Sequence, residues 1–298
     1  MNNSLAIIIP AYKIKYFDAA LSSIAAQTNK NFKVYVCDDG SKEDIKSVTD
    51  KYLNQLNIQY YRFEDNAGKK NLVKHWNRSV ELADEEWIWL FSDDDIMSPG
   101  CVQGFFDALQ ATKGKHNVYR FNIEMINADG EIICIKEPHP EKESGYQFLQ
   151  RRLLSKSLSA AVEYIFKKKA FEQNSGFVNF PLAFCSDDAS WIAFAGDLDI
   201  FTIQSEKVYW RSSNTNISSA RGLHRNKIDA MLGYCIWLKE KFKQLSPDEI
   251  ENWLFDNFKY VYGRPGIFEK YQIARRLSVI FHKSRFMYYK KLLFGGIF

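Results

Sequence analysis

Apolar and polar positions in the first part of the chain alternate in blocks rather than singly. Unbroken apolar runs stand at Leu5–Ile9, Phe32–Cys37, Ile58–Phe63 and Trp87–Phe91, each bounded by turn-forming residues. Short runs of this kind predict strands buried on both faces. Between them apolar residues recur at helical spacing. Phe17–Gln27 predicts a helix with Leu21 and Ile24 facing inward; Glu43 to about Leu56 predicts a second, and Leu72, Val73, Trp76 and Val80 mark a third. Asp38–Ser41 reads as a turn, Asn66–Gly68 as a loop, and Pro99-Gly100 opens a further helix. Continuous apolar strands alternating with helices predict a mostly parallel sheet covered on both sides.

The pattern then changes. Val118–Ile135 predicts a hairpin turning at Asp129–Gly130, Gly145–Leu154 a helix, and Ala160–Phe166 another strand. Asp187-Asp188 precedes a helix reaching Ala195. Past His224 the pattern is helical, at Ile228–Phe242 and at Ser246–Phe258, where Ser246 and Glu249 have capping-box spacing. From Gln272 to Phe294, Ile273, Leu277, Ile280, Phe281 and Tyr288 share one broad face, with Arg276, Lys283 and Lys290 opposite.

Composition narrows the class. Of 298 residues 46% are hydrophobic and 26% charged, which excludes disorder and low-complexity scaffolding. The formal charge of +4 conceals an asymmetry. From Lys259 onward nine Lys or Arg face one acid, Glu269, so this tail carries +8 and the preceding residues −4. Five cysteines (Cys37, Cys101, Cys134, Cys185, Cys235) lack paired spacing, which predicts free thiols and a cytoplasmic setting. The run Leu5–Ile9 stops at Pro10 without a basic region before it, unlike a signal peptide. No apolar stretch approaches the roughly 18 residues of a membrane span.

Candidate chemistry lies at strand ends, where open α/β sheets bind ligands. Asp93-Asp94-Asp95 follows a buried strand directly. Adjacent carboxylates repel unless a cation compensates, and Mg²⁺ or Mn²⁺ bound with a diphosphate suits such oxygens. The bland alternative is a solvated acidic turn capping the next helix. Asp38-Asp39-Gly40-Ser41 ends the neighbouring strand, where an Asp can accept hydrogen bonds from a base or ribose or simply form an Asx turn. Asp187-Asp188 offers a second carboxylate pair for base catalysis or for N-capping.

Taken in order, Ile7–Tyr12 (IIIPAY), Val36–Ser41 (VCDDGS), Asn66-x-Gly68, and Ser92–Asp95 followed by Pro99 resemble the motifs of a family 2 inverting glycosyltransferase of the GT-A fold. The resemblance covers roughly Ser4–Ala111 and continues into CSDDASW, around Asp187-Asp188, and Val208–Ser218. It implies a Rossmann-like nucleotide-diphospho-sugar transferase. Residues 1–220 would form the catalytic domain (1–111 binding nucleotide-sugar, 112–220 the acceptor), and 221–298 a helical basic extension.

By the same resemblance Asp39 would hold the donor base, Pro10 and Tyr12 would line its pocket, and Asp38, Asn66 and Gly68 would complete it. Asp93 would face the ribose, and Asp94 with Asp95 would bind Mn²⁺ or Mg²⁺ between enzyme and diphosphate. Ser92 stands where the commoner pattern has its first Asp, so the division of labour in the triplet stays open. Asp188 would be the general base and Asp187 its support. Arg211 would contact the diphosphate, His224 complete the metal shell, and Trp191 and Trp210 stack on the acceptor.

The implied reaction moves a sugar from a nucleotide-sugar, with UDP favoured, to a glycan or lipid-linked glycan. The alternatives are a nucleotidyltransferase, for which Ala11-Tyr12-Lys13 supplies no Gly-rich phosphate loop, and a non-catalytic glycan- or membrane-binding protein. The basic, aromatic tail suggests either peripheral contact with the inner face of the plasma membrane or a C-terminal helix packed on the body with a solvated basic face. Nucleic acid is not an expected partner, since the rest of the chain is acidic.

Overall fold

The computed structural model describes residues 4–213, 216, 222–258, 261 and 265–295. The chain divides into two compact units, 1–178 with 187–212, and 179–186 with 213–298.

The first unit opens with β1 (Leu5–Ala11), α1 (Phe17–Ala25), β2 (Phe32–Asp38), α2 (Ile45–Asp50), β3 (Ile58–Arg62), α3 (Leu72–Val80) and β4 (Trp87–Leu90). These follow the predicted alternation, with two adjustments. The second helix is short, giving way to turns after Asp50, and β3 is an edge strand with exposed positions rather than a buried one. The unit continues with β5 (Ile96–Met97), α4 (Cys101–Thr112), β6 (Val118–Ile126), β7 (Ile132–Cys134), β8 (Lys142–Glu143), α5 (Gly145–Leu153), β9 (Tyr164–Lys167), α6 (Lys168–Gln173), α7 (Ser186–Ala195) and β10 (Ile200–Arg211). Strands β6 and β7 form the expected hairpin, while β5 and β8 are two-residue strands too short to leave an apolar run.

The strands form one sheet ordered β3-β2-β1-β4-β9-β6-β10-β5, with β7 on β6 and β8 on β10. The β3-β2-β1-β4 portion is parallel and so is the β6–β10 pair, while β9 runs antiparallel to both its neighbours. Leu5, Ile7, Ile9, Val34, Val36, Trp87 and Trp89 lie on one face and enter the core with Leu21 and Ile24 of α1, while Ala6, Ile8, Cys37, Ile88 and Leu90 are buried on the other. The chain winds outward from β1 to β3 and then returns to place β4 on the other side of β1. That reversal makes the carboxyl ends of β1 and β4 the topological switch point, where a doubly wound sheet opens its ligand crevice.

The second unit is helical, with α8 (His224–Lys241), α9 (Pro247–Phe258), α10 (Ile267–Phe281) and α11 (Arg285–Phe294) after a short turn at Pro181–Ala183. The amphipathic stretch from Gln272 to Phe294 is two helices, not one. His282 in the left-handed region ends α10, and the Ser284 hydroxyl caps α11 by accepting from the Met287 N–H. The Glu249 carboxylate accepts the Ser246 N–H at 3.1 Å, the return bond of the predicted capping box. Lys259, Arg264 and residues 296–298 of the basic tail lie outside the described residues, as do Asn214, Thr215, Ile217 and Ser218 of the predicted closing loop. Cys37, Cys101, Cys134 and Cys235 are free thiols, and among the described residues no helix is long and apolar enough to cross a membrane.

Candidate active site

The switch point is knitted by carboxylates. Asp93, just beyond β4, accepts the backbone N–H groups of Tyr12 and Lys13, just beyond β1, both at 2.8 Å on Oδ2. The Ser41 hydroxyl donates to the Tyr12 carbonyl at 2.6 Å, so the three strand ends share one loop system. Pro10 is the penultimate residue of β1, and Tyr12, just beyond the strand, is 40% exposed.

The two aspartates ending β2 have separate duties. Asp38 is fully buried; it accepts the Ser41 N–H at 2.8 Å and the Tyr60 hydroxyl at 2.6 Å, and it pairs with Arg62. Those bonds fix the turn at Gly40, where φ is +65°, and engage the Asp38 carboxylate within the fold. Asp39 accepts the N–H groups of Ala67 (3.1 Å) and Gly68 (2.8 Å), and the Arg78 guanidinium meets its charge. Asn66 starts this loop by accepting the Lys69 N–H at 2.8 Å. A Cβ on Gly68 would lie 2.6 Å from the Asp39 carboxylate, which explains glycine there. His75 Nδ1 is 3.1 Å from Asp39, but burial lowers the imidazole to about 4, so it is neutral near pH 7 and Arg78 is the counter-charge. Arg78 also lies 3.8 Å from the centre of the Phe63 ring and pairs with Asp65, holding both sides of the loop.

In the triplet, burial pushes every carboxyl up. Asp93 rises to about 6 through burial and then the charge of Asp94. Asp95, 1% exposed, is raised well above the usual range by the same two causes, although its Oδ1 accepts the Arg211 N–H at 2.6 Å. Asp94 is raised by burial while Lys13, Ser92 and Arg211 pull it back. Arg211 does not reach outward. It is 3% exposed, its Nε donates to the Asp94 carbonyl (2.9 Å), and its Nη1 donates to those of Asn127 (3.0 Å) and Ala128 (3.1 Å). Its guanidinium also packs 4.6 Å from the Tyr16 ring centre. Where the sequence suggested a diphosphate contact, these bonds have Arg211 brace the triplet loop from β10.

The second carboxylate pair occupies the first turn of α7. Asp188 Oδ2 accepts Arg152 Nε at 2.8 Å, and Oδ1 has no hydrogen-bond partner among the described residues. Asp187 is raised to about 7 by burial and then by its neighbour Asp188, with Arg152 opposing the shift. Arg152 comes from the last turn of α5, a helix whose start is fixed by a full capping box between Ser144 and Gln147. Its neighbour Arg151 is anchored at 3.1 Å on Glu143, which also pairs with the fully buried Arg120. Despite the opposing effect of burial, His139 and these two cations hold Glu143 down at about 2. Thus the helix that presents Arg152 is tied at both ends.

Two aromatic expectations diverge. Trp191 is fully buried, stacked on Tyr164 at 4.6 Å, with its indole N–H directed at the Ala160 carbonyl, so its ring is core rather than an acceptor platform. Its position one α-helical turn past Asp188 points it inward. Trp210 on β10 is half-buried and packs on the unit's core. His224, in the second unit, lies 3.4 Å from the Glu269 carboxylate, which also pairs with Arg225.

A profile of the family described as Glycosyl transferase family 2 matches residues 6–166, more than half of the chain. The chain belongs to glycosyl transferase family 2. Among curated relatives it is 24% identical over 145 residues to "Glycosyltransferase GlyG" of Streptococcus pneumoniae, covering 46% of this chain and 48% of that protein. It is 41% identical over 66 residues to "Chondroitin synthase" of Pasteurella multocida, covering 22% of this chain and 7% of that one. The chain thus spans less than half the length of these relatives. Among solved structures it resembles S. aureus TarS 1-349 in complex with UDP-GlcNAc (TM-score 0.67, 18% identity, 93% of this chain and 80% of that one). It also resembles the mannosyltransferase PcManGT from Pyrobaculum calidifontis in complex with GDP-Man and Mn²⁺ (TM-score 0.55, 14% identity, 95% and 76%). These likenesses show a shared GT-A fold.

For this family 2 chain the donor set at the triplet suits a hard divalent cation. Buried carboxyls pushed toward the neutral form are those a dication would return to the charged form. Among the described residues no group of three or more His, Cys, Asp or Glu side chains closes into a cage. An ion here would be held by one or two carboxylates and complete its shell from diphosphate and water, the usual arrangement for Mg²⁺. Asp93 Oδ2 and Asp95 Oδ1 accept backbone N–H groups, and within the second unit His224 lies beside Glu269.

Proposed function

We propose that this chain is a metal-dependent inverting glycosyltransferase that moves a sugar from a nucleotide-sugar, with UDP as the nucleotide, to a glycan or lipid-linked glycan. The observation carrying this reading is the coexistence, in one unit, of a carboxylate-bound switch point and a second carboxylate pair, one oxygen of which lacks a partner among the described residues. The structural relatives crystallised with UDP-GlcNAc and with GDP-Man and Mn²⁺ support the donor class and the metal. Free thiols support a reducing, cytoplasmic setting.

Asp39 and the Asn66–Gly68 loop bind and orient the donor base, with Pro10 and Tyr12 lining the pocket. Asp93 draws the ends of β1 and β4 together, and Asp94 holds the cation. When bound, that ion offsets the charge developing on the departing diphosphate. Asp188 Oδ1 accepts the proton of the acceptor hydroxyl as its oxygen attacks the anomeric carbon. The bond to the diphosphate breaks on the opposite face, inverting that carbon. Arg152 keeps Asp188 oriented, and Asp187 supports it.

The test combines calorimetry of UDP binding with transfer or donor hydrolysis in Mn²⁺. Asp94→Ala is expected to lose metal-dependent UDP binding. Asp188→Asn is expected to keep that binding while turnover falls about a hundredfold or more. If both variants retain full activity, the assignment is wrong. Nucleotide binding without turnover in the parent chain would favour a non-catalytic role.

A further inference from the structure

We propose that the outward face of the α10–α11 pair is a docking surface for an anionic lipid bilayer. The inward face is settled within the helical unit: Ile273, Ala274, Leu277, Ile280, Phe281, Tyr288 and Leu292 are buried. Part of the tail's positive charge is settled there too. Arg276 pairs with Asp229, Lys283 with Asp248 (2.6 Å) and Glu251 (2.8 Å), and Lys291 approaches Glu251 at 3.7 Å. Tyr288 donates its hydroxyl to the same Glu251. These cations hold the helices to α8 and α9.

What faces solvent has a different character. Phe268 (73% exposed), Tyr271, Arg275 and Val279 follow helical spacing along α10, and Phe286, Lys290 and Phe294 (83% exposed) follow it along α11. The two rows meet at Tyr271, whose ring centre is 5.2 Å from the Arg285 guanidinium and 5.9 Å from the Tyr289 ring. Lys290 lies 4.7 Å over Phe286. The single acid in these helices, Glu269, is turned to His224 and Arg225. Among the described residues the outward face therefore presents apolar rings interleaved with cations and no carboxylate.

Exposed rings alone would suit any apolar partner, and cations alone any acidic one. Interleaved on one face of a helix pair, they match the boundary between acyl chains and anionic headgroups, where rings enter and cations stay with phosphates. The inference is independent of the transferase reading, so either fails without the other.

The test is sedimentation of the full chain with phosphatidylcholine vesicles, with and without phosphatidylglycerol. Binding is expected only with the anionic lipid. Combined Arg275→Gln, Arg285→Gln and Lys290→Gln should cut partitioning about tenfold or more, as should combined Phe268→Ser, Phe286→Ser and Phe294→Ser. All six positions are exposed, and an unchanged thermal midpoint confirms that each variant is folded. The proposal is overturned if the parent does not bind anionic vesicles, or if the Phe variant binds as well as the parent. It is equally overturned if the Phe substitutions convert a self-associating chain to a monomer without altering lipid binding, which would assign the face to a second copy.

Discussion

Gly68→Ala adds a single methyl group and probes the donor loop directly. Gly68 has no unusual backbone angle, so the effect is one of space alone. The new Cβ would sit 2.6 Å from Asp39 Oδ2 and 3.5 Å from Leu72 Cδ1. The carboxylate cannot simply swing away, because Ala67, Gly68 and Arg78 all bind it. Reaching an ordinary contact of 3.4 Å means a retreat of roughly 0.8 Å, which stretches the 2.8 Å Gly68 bond beyond hydrogen-bond reach. Loss of a bond to a charged group costs about 1.5–3 kcal/mol. Reduced freedom of the unfolded chain returns about 0.4–1 kcal/mol. The net destabilisation is about 1–2 kcal/mol, a fall in Tm of roughly 3–6 °C. With Asp39 displaced, UDP affinity measured by calorimetry should drop about tenfold. Gly266→Ala is the control, since nothing lies within 4 Å of its added Cβ and its φ is −65°. Unchanged Tm and UDP affinity in Gly68→Ala would refute the role given to the Asp39–Gly68 contact.

Other variants report on the remaining carboxylates. Asp187 rises from 3.8 unfolded to about 7 folded, so its contribution to stability is present below pH 3.8 and lost as pH rises through 7. Asp187→Asn should therefore be the more stable protein at pH 8, by on the order of 3 kcal/mol, with the advantage vanishing near pH 4. Urea unfolding at the two pH values checks this, and an equal difference at both would sink it. Arg152→Gln should lower turnover about tenfold or more while leaving UDP affinity intact; a matching loss of UDP affinity would place Arg152 in the donor site instead. Arg211→Lys cannot reproduce bonds to three carbonyls, so thermal unfolding should show a loss of about 2 kcal/mol, and an unchanged midpoint would remove its bracing role.

What the sequence disclosed follows from locality. The first four strands, the turns at their ends and the position of the carboxylates depend on runs of a few residues and are readable, although the edge exposure of β3 is not. The short strands β5 and β8 owe their existence to β10 and carry no pattern of their own. Arg78 and Arg152 carry no local signal, because their partners lie 39 and 36 residues away. Trp191 shares the Asp188 side of α7 by helical spacing, but the sequence does not show that Tyr164, 27 residues earlier, covers its ring. Of the tail's cations, helical spacing put Arg276 and Lys283 on the solvent side, whereas acids on α8 and α9 capture both.

The bond from the Arg211 N–H to Asp95 joins residues 116 apart. A growing chain that has emerged through β4 already contains the strands that shape the donor pocket, yet its acidic triplet lacks the brace that β10 brings. Residues 1–111 alone should consequently form sheet without a competent cation site, and the triplet acquires its shape among the last events of the first unit's folding. A chain interrupted before residue 211 would lack this brace, so under the proposed function it should bind neither metal nor donor firmly until the residues of β10 have been made.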